Sequence, residues 1–142
     1  MQKMTPDEVK EFLATGTRTG KLATVRTDGR PHTVPIWFTL DGEDIVFMTM
    51  KSSVKGKNML SSGRAALCVD EEEPPYAFVS IEANVIIEEL SPAELLPWAT
   101  SIGGRYMGEE LAEQFGKRNA EEGEVLVRLR PTNVFAIKEI AS

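Results

Sequence analysis

The sequence predicts a mainly β fold with flanking α-helices, in which six or seven mostly antiparallel strands close into a barrel. Two observations carry this. Short apolar runs recur along the 142 residues, bounded by Gly-, Asp- and Pro-containing pairs that mark tight turns. Helical spacing is confined to a few stretches, each opened by a Ser or Thr where an N-cap belongs. A chain of this length is expected to form one domain, residues 1–142, with a sizeable core. Closing the sheet removes the edges that a row of hairpins would otherwise expose.

Thr5 caps the first helix, Pro6 is its first residue, and Glu8 completes a capping box. Val9, Phe12 and Leu13 follow at helical spacing, and Gly16 is a stop. The runs Lys21–Arg26 and His32–Leu40 are joined through Asp28-Gly29, a strong hairpin signal. Asp41-Gly42 leads on to Ile45–Met50, which makes a three-stranded antiparallel meander. Pro35 cannot donate to a ladder, so the second strand lies at an edge or is bulged there. A short helix ending near Gly63 is followed by strands Arg64–Asp70 and Tyr76–Glu88, separated by an acidic loop through Pro74-Pro75. Ser91-Pro92-Ala93-Glu94 repeats the capping box and opens a helical region to about Asn119. Gly103-Gly104 and Gly108 are expected to break that region in two. Val125–Arg130 and Asn133–Ile140 close the chain as strands.

Composition is that of an ordinary globular protein, 42% hydrophobic and 27% charged. No apolar run reaches the length of a membrane span, and the first eight residues lack the apolar segment of a signal peptide. A cytoplasmic protein with no membrane partner is the expectation. Cys68, the single cysteine, lies within Ala65–Val69 and reads as a small buried residue rather than a nucleophile. With His32 the only histidine, no zinc-ligand spacing exists and no metal site is expected. There is no Gly-x-Ser-x-Gly elbow. Carboxylate pairs such as Glu109-Glu110 and Glu121-Glu122 read as solvated. No catalytic side chain stands out, so in an enzyme of this kind a bound cofactor would carry the chemistry.

Charge placement is more informative than the net charge of -6. Residues 16–69 hold eight Lys/Arg against four Asp/Glu, whereas residues 70–142 hold six against fifteen. No acidic residue occurs from Ile45 to Val69. This pattern does not suit nucleic acid, which needs an extended basic face; it suits one small anionic ligand. The focus is the stretch from Thr49 to Asn58, an apolar strand running into a helix start. Ser52 or Ser53 occupies the N-cap, and Lys51, Lys55 and Lys57 lie within seven residues. Free N–H groups, hydroxyls and ammonium groups together make a phosphate site.

Several segments, in order and spacing, resemble one family. These are Thr19–His32, Pro35-Ile36-Trp37-Phe38, Lys55-Gly56-Lys57-Asn58 and Arg64–Asp70. The chain resembles the pyridoxamine 5'-phosphate oxidase-like split barrels, and most closely the branch of flavin/deazaflavin oxidoreductases that uses coenzyme F420. The resemblance is good over residues 5–90 and loose in the last third. It implies a six-stranded split barrel that forms a homodimer with a cofactor cleft at each end of the interface. It places the cofactor phosphate on Thr49, Met50, Ser52, Ser53, Lys55, Lys57 and Asn58, and the ring beside Pro35, Ile36 and Trp37. Tyr76 and Phe78 would line the cleft from the partner subunit. Trp37 as a core aromatic and Asn58 as a solvent-facing helix residue are the competing readings. Arg128 and Arg130 do not reproduce the C-terminal arginine and histidine pattern of true pyridoxamine phosphate oxidases, which speaks against vitamin B6 oxidation. The implied function is hydride transfer from reduced F420 to a small-molecule electron acceptor. FMN in the same fold, or a non-enzymatic flavin or tetrapyrrole carrier, are the alternatives.

Overall fold

A computed structural model describes all of residues 1–142. The first helix, α1 (Pro6–Ala14), follows a two-residue strand β1 (Gln2–Lys3) and starts as its capping box dictates: Thr5 accepts from the Glu8 amide, and the Glu8 side chain accepts from Thr5. Strands β2 (Gly20–Val25) and β3 (Pro31–Ile36) form the expected hairpin; β4 (Thr39–Asp41) and β5 (Asp44–Met50) form a second. Helix α2 (Val54–Ser62) ends at Gly63, whose φ of 69° is the left-handed cap. Then come β6 (Arg64–Glu71), β7 (Ala77–Glu88), helices α3 (Pro92–Met107) and α4 (Ala112–Asn119), and β8 (Glu124–Lys138).

The sheet runs β3-β2-β6-β7-β8-β5-β4, with β1 added beside β8. Eight strands are present rather than six. The expected three-stranded meander does not form, because β3 and β5 never pair. Instead β3 and β4 lie at opposite ends of the hydrogen-bonded path and are joined by only Trp37 and Phe38. Two residues span only a few ångströms, so the chain itself closes the barrel where the ladder is interrupted. That interruption is the split. Pro35 sits on β3, an edge strand, where its missing N–H costs no ladder bond.

The last two expected strands are one continuous strand. Near its middle Ala83 faces Pro131 and Glu82 faces Asn133, so Thr132 is an extra, bulged residue. The Thr132 hydroxyl donates to the Glu82 carbonyl at 3.1 Å, and the bulge accommodates Pro131 without breaking the strand.

Inward-facing residues of alternating strands, among them Leu22, Phe47, Leu67, Ile81 and Leu129, fill the barrel together with Phe38. A second, smaller cluster of Val46, Leu95 and Leu126 glues α3 to the outer face of β5 and β8. Helix α3 runs unbroken through Gly103-Gly104, contrary to expectation; the break falls at Gly108. A Cβ on Gly103 would stand 2.9 Å from Cβ of Phe115. Those glycines therefore let α4 pack close, at a helix-propensity cost of about 1 kcal/mol each. Arg105, near the end of α3, donates to the carbonyls of Leu13 (2.7 Å), Phe38 (2.8 Å) and Gly16 (3.0 Å). It thereby fixes the β3–β4 crossing against the end of α1.

Candidate functional site

The strand-to-helix turn is built as the sequence implies. Ser53, not Ser52, is the N-cap: its hydroxyl accepts from the Gly56 amide at 3.1 Å and donates to the Met50 carbonyl at 2.7 Å. Thr49 is buried in the barrel with its hydroxyl 3.1 Å from that of Ser53. Capping satisfies Gly56 and leaves the amides of Val54 and Lys55 without a protein acceptor. A Cβ on Gly56 would lie 2.7 Å from the carbonyl oxygens of both Met50 and Lys51. Glycine there is what allows the first turn of α2 to fold back on its own leader.

The three lysines of the segment are not equivalent. Lys51 is consumed by Glu89, 2.5 Å away. Lys57 is exposed, and Lys55 is half-buried; neither closes an ion pair within 4.0 Å. Lys55 lines a cavity of about 260 Å³ with Pro35, Ile36 and Trp37, which brings four of the expected residues together. The other walls are Met48, Ala99, Ile102, Asn119 and Glu124. Trp37 stacks on Tyr106 with ring centroids 5.1 Å apart and planes 2° from parallel. The Tyr106 hydroxyl donates to the Arg18 carbonyl at 2.9 Å and accepts from the Phe38 amide at 3.4 Å. Trp37 is therefore not a core aromatic of a strand: it is half-buried between β3 and β4, stacked on α3 through Tyr106 and bordering the cavity.

Other expected residues lie elsewhere. Asn58 does not face solvent or the cavity opening; it is buried, and its amide donates to the buried Thr24 hydroxyl at 3.0 Å. Met50 and Ser52 are exposed on the turn. Tyr76, with φ of 66°, and Phe78 lie at the β6–β7 turn and the start of β7. Phe78 packs on Phe135 with centroids 5.8 Å apart. The Cys68 thiol is pushed up by burial and by Asp70 beside it, which removes thiolate character.

Sequence reasoning missed Glu124. It pairs with Met50 at the start of β8, one residue before the expected strand. One of its carboxylate oxygens is enclosed without a hydrogen-bond donor. Burial, reinforced by Glu121 and opposed by Lys55, pushes its carboxyl above the usual carboxylate range. Period-2 alternation carried back from Leu126 places Glu124 on the outer, helix-covered face. What covers that face depends on α3 and α4.

Four of the eight basic residues between 16 and 69 are paired with carboxylates of the protein itself. Arg18 pairs with Glu71, Lys21 with Asp70, Arg30 with Asp28 and Lys51 with Glu89. Arg26, Lys55, Lys57 and Arg64 remain without a carboxylate partner. A larger cavity, about 450 Å³, lies between α1, the β4–β5 hairpin and β8 and is mostly apolar. Val134 and Phe135 on its rim are 44% and 51% exposed. No helix is long and apolar enough to cross a membrane.

The structure is thus a split barrel with a lysine lacking an ion pair in the first turn of a capped helix, beside a cavity. Residues 5–138 match the pyridoxamine 5'-phosphate oxidase family, and the chain belongs to it. Among solved structures, a conserved hypothetical protein from Mycobacterium tuberculosis is similar with a TM-score of 0.81 and 25% identity, over 96% of this chain and 86% of that one. An F420 reductase is similar with a TM-score of 0.68 and 27% identity, over 87% and 94% of the two chains. HutZ, a haem storage protein from Vibrio cholerae, shares the fold with a TM-score of 0.68 and 21% identity, over 92% of each chain. No curated protein matches.

Proposed function

We propose that the protein is an oxidoreductase that takes a hydride from reduced coenzyme F420 to an electrophilic organic acceptor. The observation that carries this is Lys55, a half-buried lysine with no ion pair, beside two free helix-start amides and in one cavity with Pro35, Ile36 and Trp37. These residues fit a phosphate joined to a flat ring. Lys55 and the amides of Val54 and Lys55 bind the phosphate, and Lys57 adds charge from the surface. Pro35 and Ile36 present a rigid edge, and Trp37, held by Tyr106, supplies an aromatic border. Arg26 and Arg64 are the cations left to meet an oligoglutamate tail. When bound, the deazaflavin supplies the hydride; the protein supplies placement, which can account for much of the barrier reduction. The similarity to an F420 reductase at 27% identity favours this coenzyme over FMN.

The cavity is small for a tricyclic ring, and a second copy of the chain supplies its missing wall in this reading. Exposed Tyr76, Val134 and Phe135 are the surface available for that contact. Light scattering at micromolar concentration is expected to give twice the 15.7 kDa chain mass. The function is tested by titrating F420 and FMN at matched ionic strength, then following oxidation of reduced F420 against quinones, enones and tetrapyrroles. Tighter binding of FMN, undisplaced by F420, replaces the coenzyme assignment. Binding without turnover makes the protein a carrier.

A further inference from the structure

Glu124 has no part in that reading, yet it shares the cavity with Lys55. It stands on the face of the sheet that α3 and α4 cover, with one oxygen shut away from solvent and from any donor. Its carboxylate and the Lys55 ammonium border one space without closing an ion pair within 4.0 Å. The charged groups that act on it are Lys55 from α2, which favours ionisation, and Glu121 from the turn before β8, which opposes it. Lys51 approaches only through its backbone, donating to the Gly123 carbonyl at 2.9 Å, while its ammonium is turned to Glu89. Asn119, the remaining polar neighbour in the cavity, carries no charge.

We infer that this cavity takes up an oxyanion and a proton together, the anion on Lys55 and the proton on the Glu124 carboxyl. The inference rests on the reading that Lys55 meets an anion. Lys55 is the one cation that favours the charged form of Glu124. An anion on Lys55 neutralises that cation and places a second negative charge beside a carboxylate that already lacks a donor. Both effects favour the neutral acid, as does burial. By linkage, the anion then binds more weakly as pH rises through the interval between the midpoints of the free and occupied forms, by up to about tenfold per pH unit. Below that interval the carboxyl is already protonated, and above it the anion binds against a full negative charge.

The test uses inorganic sulfate, which stays a dianion throughout the range, so that the ligand contributes no titration. The Glu124 carboxyl carbon of the wild-type protein is followed by NMR across pH with and without sulfate, and assigned by its absence in Glu124→Gln. Calorimetry in two buffers of different ionisation heat counts protons. Sulfate is expected to raise the Glu124 midpoint by about one pH unit or more and to bring a proton with it. Glu124→Gln is expected to bind sulfate with no proton uptake and an affinity independent of pH. If sulfate shifts the Lys55 signals but the Glu124 midpoint stays put, the inference is overturned and the anion site stands. If sulfate leaves Lys55 unperturbed at every pH, both are overturned.

Discussion

Lys55→Ala is expected to weaken cofactor binding far more than Lys57→Ala, although the two lysines sit two residues apart in one segment. The structure separates them by surroundings. Lys55 is half-buried, has no competing carboxylate within 4.0 Å and borders the cavity. A charge-assisted hydrogen bond made there is worth about 1.5–3 kcal/mol, which is about 10- to 150-fold in the dissociation constant. Lys57 is exposed, and exposed pairs contribute about 0–1 kcal/mol, so its loss costs at most about fivefold. Lys117, already bound to Glu113 on α4, is the control and leaves affinity unchanged. The assay is calorimetric titration of F420 and of FMN into each variant at fixed ionic strength, with circular dichroism to confirm that the fold is intact. Removing Lys55 also removes the cation that favours ionised Glu124, so Lys55→Ala/Glu124→Gln is measured alongside to separate the two effects. An equal loss in the two single variants, or a larger one for Lys57→Ala, refutes the reasoning.

Gly56→Ala puts a methyl group 2.7 Å from two backbone carbonyl oxygens that have little freedom to move. It is expected to cost about 1–3 kcal/mol in urea unfolding and to lower anion affinity with it. Arg105→Lys exchanges a fork bonded to three carbonyls for a single ammonium. It is expected to destabilise by about 1–3 kcal/mol through the carbonyls left unpaired, read as a lower urea midpoint with an unchanged slope. Glu8 is held below the usual carboxylate range chiefly by its hydrogen bond to Lys138. Its contribution is present above that range and lost as pH falls through the lowered midpoint. Lys138→Met should flatten the acid limb of a stability–pH profile there. Glu124 has the opposite sign: its raised carboxyl makes the folded state hold the proton more tightly, so wild-type stability falls as pH rises through that window. Glu124→Gln should therefore be the more stable protein at neutral pH without ligand, and thermal melts across pH check this.

Local signals were legible and long-range ones were not. Thr5-Pro6 with Glu8, Ser91-Pro92 with Glu94, and Gly63 each act within a few residues, and each does in the fold what it does in isolation. Asp28-Gly29 fixed a hairpin because a two-strand register needs nothing beyond its own turn. The run His32–Leu40 misled because its apolar pattern continues across Trp37 and Phe38, where the ladder does not. The change of neighbours from β2 to β5 is a property of barrel closure, and no residue within the run encodes it. Gly103-Gly104 was ambiguous for the same reason. A glycine pair can end a helix or admit a neighbouring one, and only the position of Phe115 decides between them.

The candidate site divides along the same line. Ser53 as the cap and Lys55 beside it are legible because a cap followed by clustered lysines is a local pattern with a direct electrostatic meaning. Asn58 carried the same polar appearance, but it points inward to Thr24 and holds α2 on the barrel. Glu124 was hidden by the strength of the opposite rule, since a glutamate next to Glu121-Glu122 and Gly123 has every mark of a solvated turn. Burial was imposed on it by α3 and α4. The residue that local chemistry least favours inside is therefore the one whose presence most needs a purpose. A carboxylate with an unpartnered oxygen beside a lone ammonium opposes anion binding at high pH and stops opposing it once protonated. An anion site of Lys55 alone would respond to salt; one that includes Glu124 responds to pH as well.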